Sequence, residues 1–237
     1  TDLRRLELVR REFVANVSHE LRTPLASIRA LADTLEAGAI DDPEVSGDFL
    51  NRIVYEVDRL NGLVEELLDL GRLESGRLVL DYHRTAPASL LGTAVGRLQE
   101  QIDAAGLTLE IEADPKLSPA MLDTTRIEQV LINLIQNAID ALKGRPGARI
   151  EIAALERDGR VNIHVADNGC GIPAENLPRV FDPFFTTKDV GEGMGMGLSV
   201  CYRMMQQMRG GIDVESQPGA GTTFTLWFPS FTPSLES

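Results

Sequence analysis

Phe13 to Leu25 reads FVANVSHELRTPL, and the rest of the chain is best understood outward from it. Val17 and Leu21 belong to a seam that runs Leu6, Phe13, Val17, Leu21, Ile28, Leu31 and Leu35. Spacings of three, four and seven are those of an amphipathic helix of bundle type. His19 stands two residues from both Val17 and Leu21, so a turn of about 100° per residue carries it to the opposite, solvent-facing side. Most histidines on such a face are simply surface residues. The same exposure also suits an imidazole that must attack in line through a neutral ring nitrogen. Glu20 can hold the other ring nitrogen or take its proton. Thr23 lies one turn on, on the face of His19, where its hydroxyl can orient a water. Pro24 removes a backbone donor and is expected to bend the helix just past this point.

The break at Gly38 to Pro43 (GAIDDP) ends the first helical pattern, and a second seam follows through Phe49, Ile53, Val57, Leu60, Val64 and Leu67. Two long helices on a short loop form an antiparallel hairpin over residues 1–76. Two helices leave half of each seam uncovered, and a second copy closing a four-helix bundle across a homodimer is the expected remedy.

From Arg77 the pattern changes to mixed α/β, which makes the whole a multidomain α plus α/β chain. Strands are expected over Arg77 to His83, Leu107 to Ile111, Arg149 to Glu156, Arg160 to Asp167, Gly211 to Ser216 and Thr222 to Phe228. Helices are expected over Ser89 to Ala105, from an Asp123 N-cap to Leu142, and from the glycine-rich Asp189 to Gly197 stretch through Met208. Asp158-Gly159 is a strong hairpin turn. The tail from Pro229, residues 230–237, reads as flexible.

Composition narrows the partners. Hydrophobic residues are 43% and charged residues 25% of 237, the balance of a globular chain with a sizeable core. Lys and Arg number 23 against 36 Asp and Glu, a net charge of −13. That charge repels phosphate backbones, so nucleic acid is not an expected partner. Two cysteines, Cys170 and Cys201, make no disulfide framework and suit a reducing cytoplasm. No apolar run reaches the ~18 residues that span a bilayer, so no membrane contact is expected within this stretch. His83, His164 and the cysteines lack metal-ligand spacing and read as structural.

Four further clusters carry chemistry. Asn133 and Asn137, in NLIQN, put two amides on one helical face, and an amide carbonyl is a hard neutral ligand for Mg²⁺. Asp167-Asn168-Gly169-Cys170-Gly171 follows a strand; it is either a plain turn or a carboxylate flanked by glycines that admit a close ligand. Arg179 to Lys188 (RVFDPFFTTK) is aromatic and ends in a cation. Gly193-Met194-Gly195-Met196-Gly197-Leu198 lacks both G-x-G-x-x-G and G-K-[ST]. It is a flexible linker or a set of amides for phosphate at a helix start.

Together these stretches resemble the sensor histidine kinases of two-component systems, from about Leu3 to Phe228. FVANVSHELRTPL is similar to the family's H box, NLIQN to its N box, and DNGCG, RVFDPFFTTK and GMGMGL to its first glycine, F and second glycine boxes. The resemblance implies a helical hairpin forming a dimeric four-helix bundle. After it comes an α/β sandwich that binds ATP, over 77–229, of the GHKL (Bergerat) type shared with heat-shock ninety chaperones and type II topoisomerases. It implies that His19 accepts a phosphoryl group from ATP, with Glu20 as assisting base and Thr23 serving a reverse phosphatase reaction. It further implies transfer from His19 to an aspartate of a response-regulator receiver domain, expected to dock around Ala26 to Thr34 and the start of the second helix.

In the sandwich the resemblance implies that Asn137 ligates Mg²⁺ and that Asn133 contacts phosphate directly or through the metal, with Glu128 a further candidate. It assigns Asp167 to the adenine amino group, Gly169 and Gly171 to close approach, Lys188, Gly193, Gly195, Gly197 and Leu198 to phosphate, and Thr222 to closing the site. Departures exist: Asp140 stands where many relatives have lysine, and Thr186 where they have arginine. Thr1 to Glu7 resembles the coil leaving a PAS sensor domain, which implies a sensor, and with it a route to membrane anchoring, beyond this stretch. An ATPase of the same superfamily without histidine transfer, and a scaffolding or phosphatase-only dimer, are the rival readings. The H box argues against the first, and the intact Asn137, Asp167 and glycine boxes against the second.

Overall fold

The computed structural model describes residues 2–74, 79–114, 116–188 and 195–230. It divides into two compact units, Thr1–Gly76 with Asp182–Gly197, and Arg77–Phe181 with Leu198–Ser237.

The first unit is built on a helical hairpin. Helix α1 spans Asp2–Glu36 and α2 spans Pro43–Glu74. Between them Gly38, at φ 122°, opens a short 3₁₀ turn, a backbone state that costs glycine little. The Asp42 carboxylate accepts from the Val45 amide at 3.4 Å, and Pro43 occupies the first helical position, so the start of α2 is both capped and pre-set in φ. α1 runs on through Pro24, which leaves the Glu20 carbonyl without its usual amide partner. Pro24, Leu35 and Leu63 are buried. A row along α2 stays open: Leu50, Val54, Val57, Val64 and Leu68 are all exposed.

The second unit is a sandwich of helices on a sheet. Its helices are α3 (Pro87–Ala104), α4 (Thr124–Ala141) and α5 (Gly197–Gln207, whose first residue falls in the other unit). Its sheet holds β2 (Thr108–Ala113), β4 (Arg149–Arg157), β5 (Arg160–Asp167), β6 (Gly211–Gln217) and β7 (Gly221–Pro229). A separate pair, β1 (His83–Thr85) and β3 (Ala120–Leu122), runs antiparallel. The strand order of the main sheet is β2-β4-β5-β7-β6, with β2 parallel to β4 and the remaining pairs antiparallel. Asp158 and Gly159 both take positive φ, 53° and 69°, the type I′ turn that the Asp-Gly pair predicts.

Register decides the core. One cross-strand row aligns Ala154, Ile163, Leu226 and Ile212, and the next aligns Ile152, Val165, Phe224 and Val214. Period-two alternation puts both rows on one face, the face that is buried. α4 supplies Ile127, Val130, Leu131, Leu134 and Ile135, each fully buried, and α3 supplies Leu90, Leu91, Ala94 and Leu98. The expected N-cap of α4 is present: Asp123 accepts from the Arg126 amide at 3.1 Å.

Two expectations require correction. The alternation from Arg77 to His83 does not build a strand through its length. Residues 75–78 lie outside the described residues, Val79 is exposed outside any strand, and the Asp81 amide donates to the Asp123 carboxylate at 3.1 Å instead of to a ladder. Pairing begins only at His83, against β3, a strand of three residues that is too short for alternation to reveal. Nor do Pro229 and Ser230 belong to a flexible tail, because Pro229 closes β7 and Ser230 bridges Ala120; residues 231–237, the rest of the expected tail, lie outside the described residues. Among the described residues no helix is long and apolar enough to cross a membrane.

Candidate functional site

The inner face of the sheet turns polar at one row. Beyond the two apolar rows, the register aligns Ile150, Asp167, Thr222 and Ser216. Asp167 shares the core-facing side with Val165 and Ile163 because it stands two and four residues beyond them on β5. A carboxylate at that position loses much of its water. Burial, the largest effect, pushes the Asp167 carboxyl above the usual carboxylate range. The backbone amides of Gly169 and Thr222 and the Arg145 guanidinium pull the other way. The Gly169 amide donates to Asp167 Oδ1 at 2.7 Å.

Gly169 is where close approach is obligatory. A Cβ there would meet Asp167 Oδ1 at 2.5 Å, the Ala141 carbonyl at 2.8 Å and the Ala141 methyl at 2.9 Å. Ala141 ends α4, and the Cys170 amide donates to its carbonyl at 3.3 Å. Counting back by fours from Ala141 gives Asn137 and Asn133, so the amide stripe of α4 leads to the turn after β5. Both amides are half-buried, and Asn137 Nδ2 donates to Asn133 Oδ1 at 3.1 Å. That bond turns the carbonyl end of Asn137 away from Asn133. Its oxygen fits a hard divalent cation that keeps waters and shares phosphate oxygens. Among the described residues no group of three or more His, Cys, Asp or Glu is placed to hold a metal ion. Glu128 pairs with Arg97 of α3 at 3.3 Å.

Asn168 holds the turn itself. Its Oδ1 accepts from the Arg149 amide at 2.8 Å and its Nδ2 donates to the Gly147 carbonyl at 2.8 Å, which staples the α4–β4 loop to the end of β5. Gly171, at φ 71°, lies so close to the Gln217 carbonyl that a side chain has no room. Thr222 is buried, and its hydroxyl meets Ser216 Oγ at 2.9 Å. Leu198 lies on α5, half-buried, one residue before the buried Ser199. The F-box ring of Phe181 stacks on Tyr202 of α5 at 5.3 Å between centroids, a packing role.

The remaining candidates belong to the other unit. The Lys188 amide donates to Thr186 Oγ1 at 3.1 Å, and the Phe184 amide to the Gly195 carbonyl at 2.9 Å, where Gly195 takes φ 65°. Gly197 opens α5. Gly193 and the side chain of Glu20 lie outside the described residues. On α1, His19 is exposed, and Thr23 on the same face donates its hydroxyl proton to the His19 carbonyl at 3.3 Å, a common helical back-bond. The structure thus brings Asn133, Asn137, Asp167, Gly169, Gly171 and Thr222 into one neighbourhood of the sandwich and sets His19 and Thr23 together on the hairpin.

Sequence reasoning misses Ser216 and Arg145. Ser216 looks like an ordinary strand serine until the register sets it opposite Thr222. Arg145 lies just past the expected end of α4 and carries no local signal, yet its Nη2 donates to the Gly219 carbonyl at 3.2 Å and its charge acts on Asp167. The departure at Asp140 is occupied by an ion pair with Lys143 at 2.9 Å. His164 bonds Thr225 Oγ1 at 2.9 Å, and the exposed His83 lies 3.0 Å from the Asp81 carboxylate.

Comparison with known proteins agrees with this geometry. Residues 9–76 match the His Kinase A (phospho-acceptor) domain, and residues 122–232 match the histidine kinase-, DNA gyrase B-, and HSP90-like ATPase family. The sensor protein SrrB of Staphylococcus aureus is 33% identical over 97% of this chain and 40% of its own length. The chain thus spans two fifths of the length of that curated relative. A structure of histidine kinase ThkA in complex with response regulator protein TrrA superposes with a TM-score of 0.75 at 30% identity, covering 96% of this chain and 64% of that one. Full-length ShkA in complex with AMPPNP gives a TM-score of 0.70 at 26% identity, over 93% of this chain and 46% of that one. With an exposed histidine on a helical hairpin, and a half-buried carboxylate beside an amide stripe in an ATPase-type sandwich, the chain belongs to the sensor histidine kinases.

Proposed function

We propose that this chain is a kinase core in which the sandwich binds ATP and the hairpin presents His19 as phosphoryl acceptor. Residues 1–76 serve as the dimerisation and histidine-phosphotransfer hairpin and 77–229 as the ATP-binding domain. The observation that carries the reading is the polar row at Asp167 and Thr222, which ends an otherwise apolar sheet face beside the Asn133–Asn137 stripe. A desolvated carboxylate accepts from the adenine amino group, and a base lacking that donor leaves it unpaired. Gly169 and Gly171 let the backbone come close to the ring. Asn133, Lys188 and the amides of Gly193, Gly195, Gly197 and Leu198 hold the phosphates, the last two at the start of α5, an end that favours anions.

When Mg²⁺ is bound through Asn137, it neutralises charge on the phosphate oxygens. A His19 ring nitrogen attacks the γ-phosphorus as the bond to the bridging oxygen breaks, and ADP leaves with that electron pair. Glu20 takes or shares the imidazole proton. The phosphoryl group then passes from His19 to an aspartate carboxylate of a response-regulator receiver domain seated near Ala26 to Thr34 and the start of α2. Thr23 orients water for hydrolysis of the phosphorylated regulator. The open row on α2 supports a homodimer, since a second copy covers it. The setting is cytoplasmic, where ATP and receiver domains are found.

The test is incubation with γ-labelled ATP and Mg²⁺ beside a His19→Gln control. An acid-labile, alkali-stable label that the substitution abolishes is expected. Label that survives the substitution, or none in a protein that still binds ATP, overturns the transfer.

A further inference from the structure

The hydroxyl of Ser216 is surrounded so that every proton near it can be assigned. The Ile172 amide donates to Ser216 Oγ at 2.8 Å. The same oxygen donates to the Gly221 carbonyl, which can only accept, at 2.8 Å. A serine hydroxyl has one proton, and it is committed to Gly221. The 2.9 Å contact between Ser216 Oγ and Thr222 Oγ1 is therefore made with the proton of Thr222. Thr222 in turn lies opposite Asp167 in the β5–β7 register, and its amide donates to the Asp167 carboxylate.

We propose that Ser216 is a positioning residue for base recognition: by accepting the Thr222 proton it leaves Thr222 as an acceptor only, so that the Asp167–Thr222 row accepts a 6-amino purine and rejects a 6-oxo purine. The proposal rests on the ATP reading above and deepens it. Asp167 is one acceptor. With Thr222 free to rotate, its hydroxyl would turn its proton to an oxygen at position 6, directly or through one water, and soften the rejection. With the proton committed to Ser216, that rescue is closed. The same serine joins the loop after Gly171 to the first residue of β7, so the acceptor row and the glycines beside it are held by one side chain.

The experiment is calorimetric titration of the wild-type chain and the Ser216→Ala and Ser216→Thr variants with ATP and with ITP, each with Mg²⁺. Wild type should prefer ATP. Ser216→Ala should narrow the ATP-to-ITP ratio by about tenfold, the usual effect of one hydrogen bond gained or lost, and Ser216→Thr should keep it. A serine that only braced the fold would weaken both nucleotides alike, and that result overturns the proposal while leaving ATP binding intact. No ATP binding by wild type overturns the ATP reading and this inference with it. Should Ser216→Ala fail to fold, Thr222→Val removes the acceptor by another route and should narrow the same ratio; an unchanged ratio overturns the proposal.

Discussion

The hairpin and the sandwich use the same apolar periodicity and reach opposite ends. In the sandwich, Leu131, Leu134, Ile135, Ile163 and Leu226 are wholly buried, and the seam of α4 is closed within the same chain. In the hairpin, Val54 is 58% exposed and Leu50 and Leu68 53% each, although they sit at helical spacing on one face of α2. Burial of such side chains is worth about 1.5–3 kcal/mol apiece. One unit has collected that free energy within itself, and the other has left it for a second surface. An amphipathic pattern thus marks a face that needs cover without saying which chain provides it.

The largest effect that can break this contrast is on assembly. Val54→Glu combined with Val57→Glu puts two charges into the open row. Light scattering should report monomer for the variant and dimer for wild type, while ATP binding by the sandwich stays unchanged. A variant that remains dimeric would show that the row is not the interface. Next in size is Asp167→Asn, which should weaken ATP roughly a hundredfold or more, as expected when a site built for a polar group loses its partner. Its thermal midpoint should hold or rise, because a desolvated carboxylate is removed.

A pH series sharpens the same point. Burial raises the folded-state pKa of Asp167 above the ordinary 3.8, so the folded chain keeps that proton to higher pH than the unfolded one. Ionisation of Asp167 therefore lowers stability as pH rises from that ordinary value through the raised one, and the penalty is absent below it. Nucleotide affinity runs the other way, strengthening as the carboxylate forms, and neither trend should survive in Asp167→Asn. The smallest effect belongs to Asp123→Ala. It removes the α4 cap and the anchor of the Asp81 amide, and denaturant unfolding should show a loss of about 1 kcal/mol.

Much of this molecule is legible in its sequence, for reasons that differ by residue. His19 is exposed because Val17 and Leu21 fix the phase of a long helix, and long periodic segments read clearly. The Asp158-Gly159 hairpin is local chemistry, and both residues take the positive φ that the pair predicts. Arg77 to His83 misleads because Leu78 and Leu80 alternate as a strand does, while alternation carries no information about a pairing partner. β3 is hidden by its length. Ser216 and Arg145 are invisible because each acts on Thr222 or Asp167 through pairings that no local pattern encodes.

The hairpins β4–β5 and β6–β7 close over short turns, whereas β5 meets β7 only across the long segment that holds α5. Asp167 reaches Thr222 and Ser216 through that long-range pairing alone. Closing it is the slow, entropically costly step of such topologies. The Asp167–Thr222–Ser216 row is then an all-or-none consequence of finishing the fold: a chain whose hairpins have formed but not zipped together has no diminished version of the row to offer. On the proposed reading, a chain with an incomplete sheet should bind no nucleotide, and bound nucleotide should stabilise that last seam.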